Sequence, residues 1–182
     1  MVPFISAGHY LKDTGAVSGN LKENEKTIEF KNLILPELNK LYGPNGKVVV
    51  DNDAETLSQY LGRIKPGTGS VICEFHFDAA SPATATGSTA IIGDDADRLD
   101  KAFAKELVDT TSNLLSIKNR GVITESQSHR GKLGLMRKVG IVSLLEICFL
   151  TNPNDMAAYE KYKYCLAKEL AAIIKKYDDI IP

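Results

Sequence analysis

Two spacings of apolar residues alternate along this chain. Short apolar runs at VPFIS (2–6), KVVVD (47–51), SVICEFHF (70–77), STAII (88–92), KLGLMR (132–137) and GIVSLLEICF (140–149) predict strands. Several are apolar throughout rather than alternating, which suits strands covered on both faces. The intervening segments carry helical spacing. Residues 23–42 set Ile28, Leu33, Ile34, Leu38 and Leu41 on one stripe that ends at Gly43-Pro44. Residues 54–62 predict a short helix, and residues 95–116 carry Leu99, Phe103, Leu107 and Leu114. Residues 154–177 carry Met156, Tyr159, Tyr162, Leu166, Leu170, Ile173 and Ile174, after a start signal at Asn152-Pro153-Asn154-Asp155. This alternation implies one α/β domain over residues 1–182, with a twisted, mostly parallel sheet of about six strands and helices on both faces. The loops richest in small residues are 78–88 and 117–131. In an open α/β sheet ligands sit at the carboxyl ends of strands, so the residues ending each strand matter most.

Bulk composition narrows the partners. At 182 residues and 43% hydrophobic, the chain can bury a sizeable core without staples. Its 22 basic and 23 acidic residues supply no general field for nucleic acid or an anionic membrane. The three cysteines cannot all pair, and Cys73 and Cys148 sit in apolar runs where a thiol behaves as a small buried hydrophobe. A disulfide scaffold is not expected, and synthesis in a reducing compartment is the simpler reading. No charged segment followed by a long apolar stretch opens the chain, so no signal peptide is read, and no apolar run of about 18 residues predicts a membrane span.

Candidate chemistry concentrates at strand ends. His9 directly follows the first strand, and His76 lies near the end of the third. Two unrelated polar residues are the competing reading, since spacing alone does not bring them together. Glu23 opens the first long helix, where an acid ordinarily serves the helix dipole, and Glu25 is an equally good first-turn acid. Two neutral imidazoles and one carboxylate would make a catalytic zinc site with a coordination position left open. Glu146 stands in the apolar run IVSLLEICFL, where an unpaired carboxylate costs several kcal/mol and needs a basic partner, a metal or a cleft. A half-desolvated carboxylate near a metal is suited to taking and returning a proton near neutral pH. The nucleophile elbow, the phosphate loop and the H-E-x-x-H helix are all absent. Asp94, Asp95 and Asp97 read as a helix start rather than a calcium site.

Taken together, these segments resemble the zinc-dependent N-acetylmuramoyl-L-alanine amidases of cell-wall hydrolases and phage endolysins. The resemblance runs through Gly8-His9-x-x-x-Asp13-x-Gly15-Ala16, Gly19-Asn20-Leu21-Lys22-Glu23 and Glu74-Phe75-His76-Phe77-Asp78-Ala79. It continues through Asn119-Arg120-Gly121-Val122, Leu135-Met136-Arg137 and the segment Leu144 to Pro153 around Glu146. It implies one zinc ion per chain on His9, Glu23 and His76, with Glu146 as the proton carrier. The cut would fall between the lactyl group of N-acetylmuramic acid and L-Ala of the peptidoglycan stem. Arg137, or else His129, would stabilise the oxyanion, although Arg137 reads equally well as a surface or packing residue. Tyr10-Leu11 replaces a Gly-Gly pair, Thr14 a Pro, Glu74 a Ser and Asp78 an Asn of the family pattern. By strand geometry Glu74 could face the site and orient an imidazole, and Asp78 could contact substrate. Peptidoglycan or muropeptide is the implied partner, with no nucleic acid and no membrane insertion. The expected setting is cytoplasmic synthesis followed by action on the wall, after release through a phage holin or as a mature secreted fragment. A zinc peptidase cutting within the stem and a non-catalytic wall-binding module are the alternatives.

Overall fold

A computed structural model describes residues 1–128 and 130–181. Strand β1 (Phe4–Ala7) leads through a two-stranded hairpin, β2 (Val17–Ser18) and β3 (Leu21–Lys22), into helix α1 (Glu23–Tyr42). Then come β4 (Val49–Val50), α2 (Leu57–Arg63), β5 (Val71–Asp78), β6 (Ser88–Ile92), α3 (Arg98–Leu115) and β7 (Asn119–Thr124). A 3-10 turn (Gly134–Arg137), β8 (Ile141–Phe149) and α4 (Pro153–Asp178) complete the chain. Six strands form one sheet in the order β4-β1-β5-β8-β6-β7. Every pairing is parallel except β6 with β8, so β6 and β7 run against the other four.

The helix boundaries follow local chemistry. Thr56 and Gln59 close a capping box on α2, and Asp97 accepts from Leu99 N (2.6 Å) and Asp100 N (3.0 Å) to start α3. Asp94 and Asp95 precede this cap, so the acidic cluster does open a helix. Asn152 accepts from Asn154 N (2.9 Å) and Asp155 N (3.3 Å), with Pro153 in the first turn of α4.

The two faces of the sheet are covered unequally. Long helices α1, α3 and α4 pack on one face, where Phe30 meets Phe75 edge-on and Phe77 meets Tyr159 edge-on. The other face receives only α2 and the 3-10 turn, through Tyr60, Ile64, Leu135 and Met136 over Phe4, Ile72, Val142 and Leu144. Along β5 and β8 the alternation therefore sends Cys73, Phe75, Phe77, Leu145 and Ile147 to the thick side. Ser6, Glu74, His76 and Glu146 fall on the thin side, where the carboxyl ends of the strands run past the short cover. Glu74 is in register with Ser6 and His76 with Glu146. A β-bulge follows immediately, between His76 and Asp78, re-aiming the strand ends where the site begins.

Two expectations change. The run 132–137 is not a strand: Gly134–Arg137 forms a 3-10 turn that buries adjacent Leu135 and Met136 together as a plug on the thin face. A strand would have sent them to opposite sides. Residues 119–124, expected within a loop, form edge strand β7, half-buried and interrupted by Gly121 at φ 83°. Residues 17–22 supply the short hairpin that precedes α1. Cys73 and Cys148 are buried and Cys165 is exposed, all as free thiols.

Candidate metal centre

Four elements converge at the carboxyl end of the sheet. Gly8 N–H donates to the Phe75 carbonyl at 2.8 Å, pulling the end of β1 against β5. A Cβ at Gly8 would lie 2.3 Å from the His76 ring, so only glycine permits this approach. His9 then adopts φ 66°, an uncommon conformation for a non-glycine residue, and turns back over the site. The hairpin delivers Glu23 as the first residue of α1, where its carboxylate points inward. It accepts from Ala16 N (2.9 Å) and Phe77 N (3.2 Å).

The result is a compact donor set. His76 Nδ1 lies 2.8 Å from Glu23 Oε1, and His9 Nε2 lies 3.0 Å from Glu23 Oε2. One ligand atom from each of His9, Glu23 and His76 falls within 4.8 Å of the others. Each imidazole is held from behind by a second carboxylate. Asp13 Oδ2 is 2.8 Å from His9 Nδ1, and Glu74 Oε1 is 3.1 Å from His76 Nε2. Ser6 Oγ donates to the other Glu74 oxygen at 3.0 Å. A carboxylate behind each ring fixes which nitrogen faces the centre. Glu25, the competing first-turn acid, is 58% exposed and pairs with Lys22 instead.

Electrostatics follow from this crowding. Burial raises the Glu23 pKa, but its bond to His76 and the close approach of the His9 imidazole outweigh that and hold it far below the usual carboxylate range. Burial likewise depresses His76, yet Glu23 and Glu74 overcome it and push it up to about 10. This cluster of carboxylates requires positive charge among them, and a divalent cation meets the same requirement as imidazolium. His9 Nε2 is buried without a hydrogen bond among the described residues despite facing Glu23, as expected of two atoms aimed at a shared cation rather than at each other. Two imidazoles and a carboxylate, with a coordination position left open, form the donor set of a catalytic zinc site. The residues fit the metal.

Glu146 stands beside His76 on the neighbouring strand, 3% exposed. Arg130 NH2 reaches its Oε1 at 2.6 Å, while its Oε2 is buried with no partner among the described residues. Burial raises the Glu146 pKa, against the opposing pull of His76 and Arg130. Asp78 lines the same cavity as Glu146 and Arg130. Arg137 does not come to this centre. It pairs with buried Glu125 and lies 3.9 Å from Asp95. Arg130 occupies the position for which Arg137 was expected. Its place at the end of a polar loop carried no burial signal. His129 lies outside the described residues. Asp13 was visible within the Gly-His motif, but only the folded loop shows what it holds.

Fold and site together place a His-Glu-His cluster able to hold a metal ion at the open end of an α/β sheet. A family profile described as N-acetylmuramoyl-L-alanine amidase matches residues 4–176, and the chain belongs to that family of enzymes. It is similar to the catalytic domain of CwlV, an N-acetylmuramoyl-L-alanine amidase from Bacillus (Paenibacillus) polymyxa var. colistinus. Identity is 21%, 98% of each chain is covered, and the TM-score is 0.78. An N-acetylmuramoyl-L-alanine amidase from Clostridium difficile 630 aligns at 21% identity over 100% of this chain and 98% of its own, with a TM-score of 0.79. The catalytic domain of an endolysin targeting Clostridia difficile aligns at 17% identity over 96% of each chain, with a TM-score of 0.73. No curated protein sequence matches. Among the described residues no helix is long and apolar enough to cross a membrane.

Proposed function

We propose that this enzyme is a zinc-dependent amidase that hydrolyses the bond between the lactyl group of N-acetylmuramic acid and L-Ala of the peptidoglycan stem. The observation that carries the reading is the meeting of His9, Glu23 and His76 beside a buried carboxylate, Glu146, one oxygen of which has no partner among the described residues. His9 Nε2, His76 Nδ1 and one Glu23 oxygen would hold a single zinc ion, oriented by Asp13 and Glu74. When bound, zinc supplies a Lewis acid that polarises the scissile carbonyl and acidifies the attacking water.

The protein's own groups do the rest. Glu146 Oε2 accepts the proton of the attacking water and returns it to the leaving nitrogen, a role suited to a carboxylate whose burial raises its pKa. Arg130 holds the other Glu146 oxygen in place and faces the region where negative charge develops. Asp78 borders the substrate at the end of β5. Glu146→Gln tests the assignment. The variant keeps the side chain's shape, so zinc content stays near one per chain while release of stem peptide from purified peptidoglycan falls by about a hundredfold or more. Wild-type turnover in that variant would remove Glu146 from the mechanism.

A further inference from the structure

Two cavities of different character meet at Arg130, beside the His-Glu-His cluster. One, of about 240 Å³, lies between β1, β5 and α2, and is bordered by Tyr10, Asp51, Glu55, Tyr60 and Glu74 together with both histidines. The other, of about 430 Å³, lies across β8, β6 and the start of β7, and is bordered by Glu146, Thr89, Lys118, Arg120 and Ile123. Arg130 borders both. Two independent arguments assign the halves of the substrate to these cavities.

The first is proton geometry, and it rests on the amidase reading above. The group that protonates the leaving nitrogen must face it, and Glu146 borders only the larger cavity. The nitrogen-bearing peptide half therefore departs through that cavity, and the sugar half occupies the smaller one. The second is charge. Carboxylates border both cavities: Asp51, Glu55 and Glu74 in the smaller one are paired with Lys31, Arg63 and His76, and Asp78 and Glu146 border the larger one, so what sets the two apart is their cations. In the larger one, Lys118 and Arg120 form no ion pair among the described residues, whereas Arg130 is already bound to Glu146. The Arg120 guanidinium lies 5.1 Å from the centroid of the Phe149 ring, which limits its freedom before any ligand arrives. The backbone beneath is pinned as well: Ser88 N–H donates to the Lys118 carbonyl at 2.9 Å, and Asn119 is bonded to Asp109 at 2.7 Å. Ile91 and Ile123 add an apolar wall beside these cations.

We infer that Lys118 and Arg120 form a carboxylate subsite for the peptide arm and select stems whose acidic side groups are free over stems in which they are amidated. A planar guanidinium pairs with a carboxylate through two parallel hydrogen bonds and cannot form that charge-assisted pair with an amide.

The test uses two soluble N-acetylmuramoyl peptides that differ only in whether the carboxylates beyond the first alanine are free or amidated. Wild-type enzyme, Lys118→Ala, Arg120→Ala and the double variant are compared by kcat and KM, with circular dichroism to verify folding. The wild type is expected to favour the acid form by about tenfold in kcat/KM. The double variant should raise KM for the acid form about tenfold and bring the ratio of the two substrates close to one. Arg120→Lys, which keeps the charge without the fork, should recover part of the preference. A folded, active double variant with an unchanged substrate ratio overturns the subsite and leaves the amidase reading standing. A wild-type enzyme that cleaves neither substrate overturns that reading and the inference with it.

Discussion

Glu74→Ala should weaken zinc binding without unfolding the protein. The structure sets the scale. Glu74 Oε1 lies 3.1 Å from His76 Nε2, and the two side chains are only 4% and 7% exposed, so water cannot readily replace the lost acceptor. The ring would keep Nδ1 aimed at the centre only by packing, and its other N–H would stay buried without a partner. Removing a carboxylate that orients a metal-binding histidine costs about 10- to 100-fold in affinity, or about 1.4–2.8 kcal/mol. The alanine variant belongs at the upper end, because the site also loses a negative charge close to the cation. Glu74→Gln retains an acceptor and should lose about tenfold. Ser6→Ala, which removes only the 3.0 Å bond that steadies Glu74, should lose less. Competition with a chromophoric chelator measures these constants, and far-UV circular dichroism verifies the fold. If Glu74→Ala binds zinc within about twofold of wild type, the carboxylate does not orient His76 and the reasoning fails.

Metal affinity should also depend on pH. Burial lowers the His76 pKa, but Glu23 and Glu74 raise it to about 10, so a cation must displace a proton throughout the neutral range. Apparent zinc affinity should therefore climb by roughly tenfold per pH unit for each proton displaced, and flatten above about pH 10. The metal-free protein behaves oppositely. Because the folded pKa is raised, the stability His76 contributes is complete below its ordinary value of 6.5 and is lost as pH rises toward about 10. Chelator titrations and urea melts across pH 6–9 check both signs. Asp155→Ala should cost about 3–5 kcal/mol in urea unfolding, since it strands the Gly87 and Phe149 N–H groups and the Thr86 hydroxyl that its carboxylate accepts from. Arg137→Ala should lower stability by about 1–2 kcal/mol through its pair with Glu125, while kcat stays within about threefold of wild type.

What could be read from the sequence divides by physical cause. Continuous apolar runs revealed β5 and β8 because both lie inside the sheet, and the Asn152-Pro153 cap marked the start of α4 because its chemistry is local. Glu146 stood out since a carboxylate among buried aliphatics needs a reason, and the structure puts it beside His76 with one oxygen unpartnered among the described residues. Edge strand β7 was hidden because half-buried residues and a glycine leave little periodic signal. Leu133, Leu135 and Met136 looked like a strand because apolar content alone does not separate an extended run from a compact plug. The choice between Glu23 and Glu25 depended on which side of α1 meets β5, a tertiary fact. Arg130 gave no signal for the same reason: it sits in a polar loop, whereas Arg137 ends an apolar run, and only the path of that loop brings Arg130 to Glu146.

The central claim is that one amide, between muramic acid and the first alanine of the stem, is cut at a zinc centre on His9, Glu23 and His76. Mass spectrometry of defined muropeptides digested by zinc-loaded enzyme, with a metal-stripped control, tests it most directly. Zinc-loaded enzyme should release a peptide with a free N-terminal L-Ala and leave an intact N-acetylmuramic acid carrying a lactyl carboxylate, and both products should be lost on stripping. A cut within the stem, or unchanged product formation by the stripped enzyme, would contradict it.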